Sequence, residues 1–334
     1  MIAVKELEFL TKHSFRGFVK KIMKNETVIP DDVMEKFKLG EYDHDGNYGK
    51  IIINDDIVYK MNPSTGSNNI TDTEVYLGEY YRQVFIAYIV RYIFECKIPD
   101  INESYSKIMG TYVKEGKGYS LYELSNQRDM CRYITECRNF SHIDTVLVQS
   151  IYAMSDIINR LEEYNFSHND LRCSNVLVHI DPEFGITYRI NDFDQSYIEF
   201  NGLKIGSNKP IFEIDTEDPD FEEIDSSHYI VKPFFHVSEE MSGMYFREKR
   251  SKNISVDIYV FILSLAFHNK VINNLEELPL FSRMMNTIFT FDDLEKIMGE
   301  TPVDDDITKF IINNKIRLLF DVDTKIKDFY SRNM

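Results

Sequence analysis

Strand-like and helix-like segments occupy different parts of this 334-residue chain. Alternating apolar residues predict two strand pairs, at 49–54 with 56–61 and at 106–113 with 118–124. Between the pairs, residues 71–95 have the apolar periodicity of one long helix. The later segments are mostly helical, apart from short strands expected at "VLVHI", "ITYRI" and "NDFDQS". This order predicts an α+β, bilobal fold with a strand-rich N-terminal lobe, a helical C-terminal lobe and a cleft between them.

The same segments predict where the lobes begin and end. Residues 1–36 have the pattern of an amphipathic helical extension, 37–124 form the N-terminal lobe, and 125–334 form the C-terminal lobe. An acidic stretch at about 213–225 is expected to be a solvated loop inside the second lobe. The apolar share of 43% is sufficient for a packed core.

Charge and hydropathy narrow the choice of partner. The formal net charge of -17 disfavours nucleic acid and anionic membranes, and mildly favours basic partners. The apolar run in "DIYVFILSLAF" has about ten residues, whereas a membrane span needs roughly 20. The N-terminus is charged at Lys5, so no signal-peptide core is expected. We therefore expect no membrane anchor.

The four cysteines are Cys96, Cys131, Cys137 and Cys173. None belongs to a CxxC pair and no histidine cluster accompanies them, so neither structural zinc nor a disulfide framework is expected. Cys173 has no base beside it in sequence and is expected to be inert. This pattern favours a reduced, intracellular and cytoplasmic setting.

The segment "HNDLRCSN", residues 168–175, contains the groups that phosphoryl transfer requires. That reaction needs a carboxylate to orient the attacking hydroxyl, oxygen ligands for Mg²⁺ and a cation for the nucleotide phosphates. Asp170 and Asn175 have the spacing H-x-D-L-x-x-x-N, Asp192 follows 17 residues later, and Lys60 lies on a predicted strand. The plainer interpretation is a polar turn with an Asx cap before a strand.

Together these segments resemble the protein kinase superfamily over about residues 38–270. The resemblance implies a protein-kinase-like fold that binds ATP and Mg²⁺. It implies that Asp170 accepts the proton of the attacking hydroxyl and that Asn175 and Asp192 bind the metal. Lys60 would hold the α- and β-phosphates.

The resemblance assigns further roles around the loop. "SVDIYVFILSL" resembles the buried central helix of the kinase C-terminal lobe, whose leading Asp257 would anchor the catalytic loop from below. His168 would pack under the loop as a structural histidine. Arg172 occupies a position from which it would stabilise the transferred phosphate, although a surface arginine is the plainer interpretation.

The nucleotide pocket is also assigned by resemblance. Gly46 and Gly49 would form part of a glycine-rich loop, in which His44 replaces the first glycine of the family pattern. Glu123 and Leu124 resemble the hinge whose backbone groups bind adenine.

Two glutamates compete as the partner of Lys60. Glu74 and Glu79 follow Lys60 by 14 and 19 residues, and both spacings occur in the family. Glu74 is slightly favoured by its apolar neighbours, but Thr71 and Glu74 also have the spacing of a capping box.

Three positions depart from the family pattern. Asn169 replaces the arginine that meets an activation-loop phosphate, so no switch of that kind is expected. Asp194 replaces the glycine of D-F-G. It would either support the metal site or be a simple loop residue. Glu240 in "HVSEEM" resembles a remnant of A-P-E.

The function expected from these features is an ATP- and Mg²⁺-dependent Ser/Thr protein kinase, acting on a basic protein substrate. Two alternatives stay open: a pseudokinase that serves as a nucleotide-binding or scaffolding module, and a small-molecule kinase of the aminoglycoside or choline kinase type. The composition and the altered motifs resemble divergent kinases of large DNA viruses, which would imply host-cell cytoplasm. The sequence leaves the oligomeric state open.

Overall fold

A computed structural model describes residues 17, 28–46, 49–62, 73–124, 128–181, 185–201, 203–206, 211–214, 228–234, 256–299, 302 and 306–334. The fold is mixed, with an antiparallel sheet in the N-terminal part and helices after it. The chain divides into two compact units. The first runs to Gln127 and includes Asn191–Ser207, and the second comprises Arg128–Ile190 and the residues from Asn208.

The first unit is built on one five-stranded sheet. Its strands are β1 (His44–Gly46), β2 (Gly49–Asn54), β3 (Ile57–Met61), β4 (Ile108–Lys114) and β5 (Lys117–Glu123). Their order is β1-β2-β3-β5-β4, and neighbouring strands are antiparallel. The two predicted strand pairs are therefore confirmed by the pairing of β2 with β3 and of β4 with β5.

Two helices among the described residues pack in the first unit. Helix α1 (Asp31–Leu39) buries Val33 and Phe37 in a cluster with sheet residues such as Tyr59. Helix α2 (Thr73–Cys96) confirms the predicted long helix and packs on β4 and β5. Most of the second half of α2 is buried, which explains why apolar residues occur on every side of it. Of the predicted helical extension at 1–36, residues 1–16 and 18–27 lie outside the described part.

Residues 191–207, which return to the first unit, correct one prediction. The segment "NDFDQS" was expected to be a strand, but Phe193–Gln195 forms a 3-10 turn. Asp192 has φ +64°, a left-handed backbone that interrupts an extended chain. The strands β9 (Ile198–Phe200) and β10 (Leu203–Ile205) then form a hairpin.

The second unit is mainly helical. Its helices are α3 (Met130–Glu136), α4 (Phe140–Leu161), α5 (Val256–Ala266), α6 (Asn269–Ile272), α7 (Pro279–Ile288), α8 (Phe291–Gly299), α9 (Ile307–Asn313) and α10 (Val322–Asn333). Helix α4 packs against α5, α7 and α10, and every residue of α5 is buried. The apolar run that is too short for a membrane is thus a core helix.

Short strands complete the second unit. They are β6 (Arg128–Asp129), β7 (Val176–Asp181), β8 (Gly185–Ile190), β11 (Ile211–Ile214), β12 (His228–Tyr229), β13 (Val231–Phe234) and β14 (Leu318–Leu319). Strands β6, β7 and β8 form one sheet, and β7 begins directly after "HNDLRCSN", residues 168–175. Across the described residues, no helix has the length and apolar character needed to cross a membrane.

Candidate functional site

The candidate catalytic loop, residues 168–175, is fixed by a buried carboxylate. Asp257, at the start of α5 and 4% exposed, accepts hydrogen bonds from the backbone N–H groups of His168 (2.6 Å) and Asn169 (2.8 Å). Bonds between an ionised carboxylate and backbone N–H groups are among the stronger ones in proteins. The core helix α5 therefore determines where the loop begins, and His168 is fully buried beneath it.

Asn169 adopts a backbone conformation that explains its residue type. Its φ is +60°, in the left-handed region that asparagine tolerates better than most residues. Its side-chain oxygen accepts a hydrogen bond from the Ser167 hydroxyl at 2.8 Å. Asparagine thus satisfies a local backbone requirement, which the comparison with the family motif alone had not revealed.

Asp170 is held by two neighbours on the same loop. The Arg172 guanidinium lies 3.0 Å from Oδ1 and donates to Oδ2 at 3.2 Å. The Asn175 amide nitrogen donates to the backbone oxygen of Asp170 at 2.8 Å and to its Oδ2 at 3.1 Å. The three side chains predicted from the motif therefore form one cluster.

Cys173, within this loop, corrects the cysteine prediction. It forms a disulfide with Cys131, which lies on α3 and is 42 residues away in sequence. The expectation of no disulfide was therefore wrong. The pairing depends on the close approach of α3 to the loop, and the spacing of the cysteines in sequence gives no sign of it.

Lys60 forms the second cluster, in the first unit. It lies on β3 opposite Ser120 of β5 and Ile51 of β2. Its ammonium nitrogen is 2.8 Å from Asp192 Oδ1 and 2.9 Å from Asp194 Oδ2. All three side chains are at least three-quarters buried. The structure thus brings together two residues predicted from separate motifs and adds Asp194 to them.

The electrostatics of this cluster follow from burial and charge. Burial alone lowers the pKa of Lys60, but the nearby Asp192 and Asp194 carboxylates raise that pKa well above its ordinary value. Burial, followed by repulsion from Asp192, raises the pKa of Asp194 to about 6. Two carboxylates around one ammonium leave one negative charge in excess when all three are ionised. Such a cluster attracts a further cation.

The predicted nucleotide rim is described only in its backbone. Gly46 pairs with Gly49, and His44 with Ile51, in the hairpin of β1 and β2. At the predicted hinge, the Glu123 N–H donates to Lys107 O at 3.0 Å. The Leu124 N–H donates to Asp56 O at 2.8 Å. Because both amides are engaged, hydrogen bonds from these two residues to adenine would have to use their carbonyl oxygens.

Several predicted positions lie outside the described residues. Glu74 and Glu79 are on α2, but their side chains are not among those described, so the choice between them stays a prediction. Glu240 is outside the described part, as are residues 215–225 of the acidic stretch.

Magnesium is the metal implied by the motif. Of the two ligands implied by the resemblance, Asp192 in the first unit carries a carboxylate and Asn175 in the second unit an amide oxygen, and both are donor types that Mg²⁺ accepts. The described residues contain no group of three or more His, Cys, Asp or Glu side chains placed to hold a metal. No protein-family model matches the chain, and a comparison with curated proteins finds no match.

Proposed function

We propose that the protein is an ATP- and Mg²⁺-dependent phosphotransferase with a bilobal protein-kinase-like fold, acting on serine or threonine hydroxyls of proteins. The observation that carries this proposal is the 2.8 Å ion pair between Lys60 and Asp192. These residues are 132 positions apart and were selected from separate motifs, one for the nucleotide phosphates and one for the metal. Two surface residues that paired by chance would stay solvated, whereas the side chains of Lys60 and Asp192 are both largely buried.

The loop residues supply the acid–base part of the reaction. Asp170 orients the substrate hydroxyl and accepts its proton as the oxygen attacks the γ-phosphate of ATP. Arg172, which lies against Asp170, would transfer its hydrogen bonds to the phosphoryl oxygens as charge develops there. Asp257 keeps the loop backbone fixed during this exchange.

The remaining residues bind the nucleotide and the metal. Asn175 and Asp192 would hold Mg²⁺, which neutralises charge on the triphosphate when bound. Lys60 would then exchange part of its pairing with Asp192 for the α- and β-phosphates. The strongly negative net charge of -17 supports a basic protein as the acceptor.

The test is transfer of labelled phosphate from ATP to a basic protein in the presence of Mg²⁺. We expect Asp170→Ala to abolish transfer and the exposed Asp328→Asn, outside both clusters, to leave it unchanged. A parallel panel of small alcohols and aminoglycosides identifies the acceptor class. Labelling of small alcohols alone would replace the protein-kinase proposal with a small-molecule kinase.

A second candidate is a pseudokinase that binds nucleotide or partners without transfer. The engaged hinge amides of Glu123 and Leu124 favour it, because they remove two donors from the predicted adenine pocket. Thermal-shift titration with ATP, with and without Mg²⁺, separates the two candidates. Metal-dependent stabilisation that is lost in Asp192→Asn supports the enzyme, and its absence supports the pseudokinase.

A further inference from the structure

We propose that Cys131 and Cys173 form a reversible redox switch on the candidate catalytic loop. In this proposal the disulfide holds the loop in a form of low activity, and reduction to two thiols activates transfer. The inference rests on the proposed function for its effect on rate. Hydrogen exchange of the loop amides tests the tether without depending on activity.

The position of the disulfide is the first argument. Cys173 begins the 3-10 turn Cys173–Asn175, directly after Arg172 and three residues after Asp170. Cys131 is in the first turn of α3, and the two Cα atoms are 5.5 Å apart. The bond therefore ties the middle of the candidate catalytic loop to a helix that contributes no predicted catalytic group.

The second argument is the state of Asp170 in the disulfide form. Arg172 contacts both carboxylate oxygens, at 3.0 and 3.2 Å, and its backbone oxygen accepts from the Asn175 N–H at 2.8 Å. In this proposal the substrate hydroxyl displaces part of this pairing before Asp170 accepts its proton. Since Arg172 is bonded directly to Cys173, the tether restricts the backbone movement that would let Arg172 withdraw.

Other contacts hold the same elements when the disulfide is absent. The Cys173 N–H donates to the Ser264 hydroxyl at 2.8 Å. The C-terminal end of α3 is capped by Lys270, whose ammonium donates to the carbonyls of Ile134 and Thr135, at 3.0 and 3.2 Å, and to that of Cys137. These contacts do not involve the S–S bond, so α3 and the Cys173 amide stay anchored on reduction. The side-chain tether between them is lost, and the backbone around Arg172 gains freedom.

The exposure of the two sulfur-bearing residues gives the order of the exchange. Cys173 is 6% exposed, whereas Cys131 is intermediate in exposure, so the proposal places the attack of a small thiol on Cys131. Glutathione thiolate attacks Cys131 Sγ, the S–S bond breaks, and Cys173 leaves as a thiolate that takes up a proton. A second glutathione then releases the Cys131 thiol and oxidised glutathione. The reverse reaction consumes one oxidised glutathione and yields two reduced ones, so electrons and atoms balance.

The experiment compares the full-length chain after equilibration with oxidised or reduced glutathione, followed by removal of the glutathione. A peptide map under non-reducing conditions verifies the Cys131–Cys173 link. We expect the initial rate of phosphate transfer to rise about fivefold or more on reduction. Equal rates in the two states, or a lower rate after reduction, overturn the proposal.

Two variants assign the effect. Cys131→Ser lacks the tether and should transfer at the rate of the reduced wild type in both conditions. Cys137→Ser, on a cysteine outside the disulfide, should respond as the wild type does. A Cys131→Ser variant that still responds to glutathione overturns the assignment to this pair.

Hydrogen exchange tests the switch without reference to activity. We expect the amides of residues 171–176 to exchange faster in the reduced wild type and in Cys131→Ser than in the oxidised wild type. If transfer is absent in every sample while this exchange difference is present, the proposed function fails and the tether stands. If exchange is the same in all samples, the tether itself does not control the loop.

Discussion

Asp257 and Asn169 are 88 residues apart, yet the Asp257 carboxylate accepts the Asn169 N–H at 2.8 Å inside the second unit. The same carboxylate accepts the His168 N–H at 2.6 Å, so one buried charge fixes two consecutive amides. The loop geometry thus depends on a residue that takes no part in the proposed proton transfer.

Replacement of this carboxylate is the first prediction. Asp257→Asn removes the charge and one acceptor, which leaves a buried N–H poorly paired. We expect the free energy of unfolding to fall by about 2 kcal/mol and transfer activity to fall with it. Urea denaturation measures the first effect and labelled transfer the second. Asp328→Asn, a change at an exposed i,i+4 pair, is the control and should change stability by no more than about 0.5 kcal/mol.

The backbone of Asn169 gives the second prediction. At φ +60° glycine is unstrained, so Asn169→Gly should cost less than about 1 kcal/mol despite loss of the Ser167 contact. Asn169→Val places a β-branched side chain in the left-handed region and should cost about 2 kcal/mol or more. Melting temperatures of the two variants give the order. Equal losses in both would show that the side-chain contact, and not the backbone, selects asparagine.

Apolar periodicity predicted most of the regular structure because burial imposes it directly. The β3 strand that holds Lys60 and the helix that begins near Asp257 were both predicted within one residue of their ends. The exception, at Phe193–Gln195, lies beside Asp192, whose left-handed backbone leaves no mark on hydropathy. The structure of such a short polar segment depends on the backbone conformation of single residues, which the hydropathy pattern does not reveal.

Pairings across long separations were predicted only where a reaction motif supplied them. Lys60 and Asp192 could be placed at one site because phosphoryl transfer needs both a phosphate-binding cation and a metal ligand. The Cys131–Cys173 bond has no such requirement behind it, and two cysteines 42 residues apart carry no signal of contact. The ion pair between Asp194 and Lys60 likewise depends on the turn at 193–195, which the sequence did not predict.

Asp194 gives a prediction of pH dependence. Its pKa is raised from an ordinary 3.8 to about 6, by burial first and by Asp192 second. The folded protein therefore binds this proton more tightly than the unfolded chain does. The resulting stability is fully present below the unfolded pKa and is lost as pH rises through about 6.

The comparison is between wild type and Asp194→Asn from pH 4 to 7, without nucleotide or Mg²⁺. On acidification from pH 7 to 5 we expect the wild type to gain stability over the variant, by on the order of 1–2 kcal/mol. Urea denaturation at each pH measures the difference, and Asp328→Asn should run parallel to the wild type. A constant difference across this range contradicts the proton uptake assigned to Asp194.

Arg172 gives the final prediction, because its proposed role separates binding from chemistry. It contacts Asp170 and would turn to the transferred phosphoryl group only as charge develops, so its loss should act on kcat more than on KM for ATP. We expect Arg172→Ala to lower kcat about 10- to 100-fold with KM for ATP changed by no more than about twofold. Arg172→Lys, which keeps the charge but not the two-point geometry, should fall between.

Arg160→Ala provides the matched control. Arg160 also pairs with an aspartate through its guanidinium, at 2.9 Å from Asp156, but it lies on α4 outside the loop. Its replacement should leave kcat and KM unchanged, which excludes a general effect of removing a paired arginine. An Arg172→Ala enzyme that raises KM alone would place Arg172 in nucleotide binding, because an interaction made equally in the bound and transition states changes KM without changing kcat.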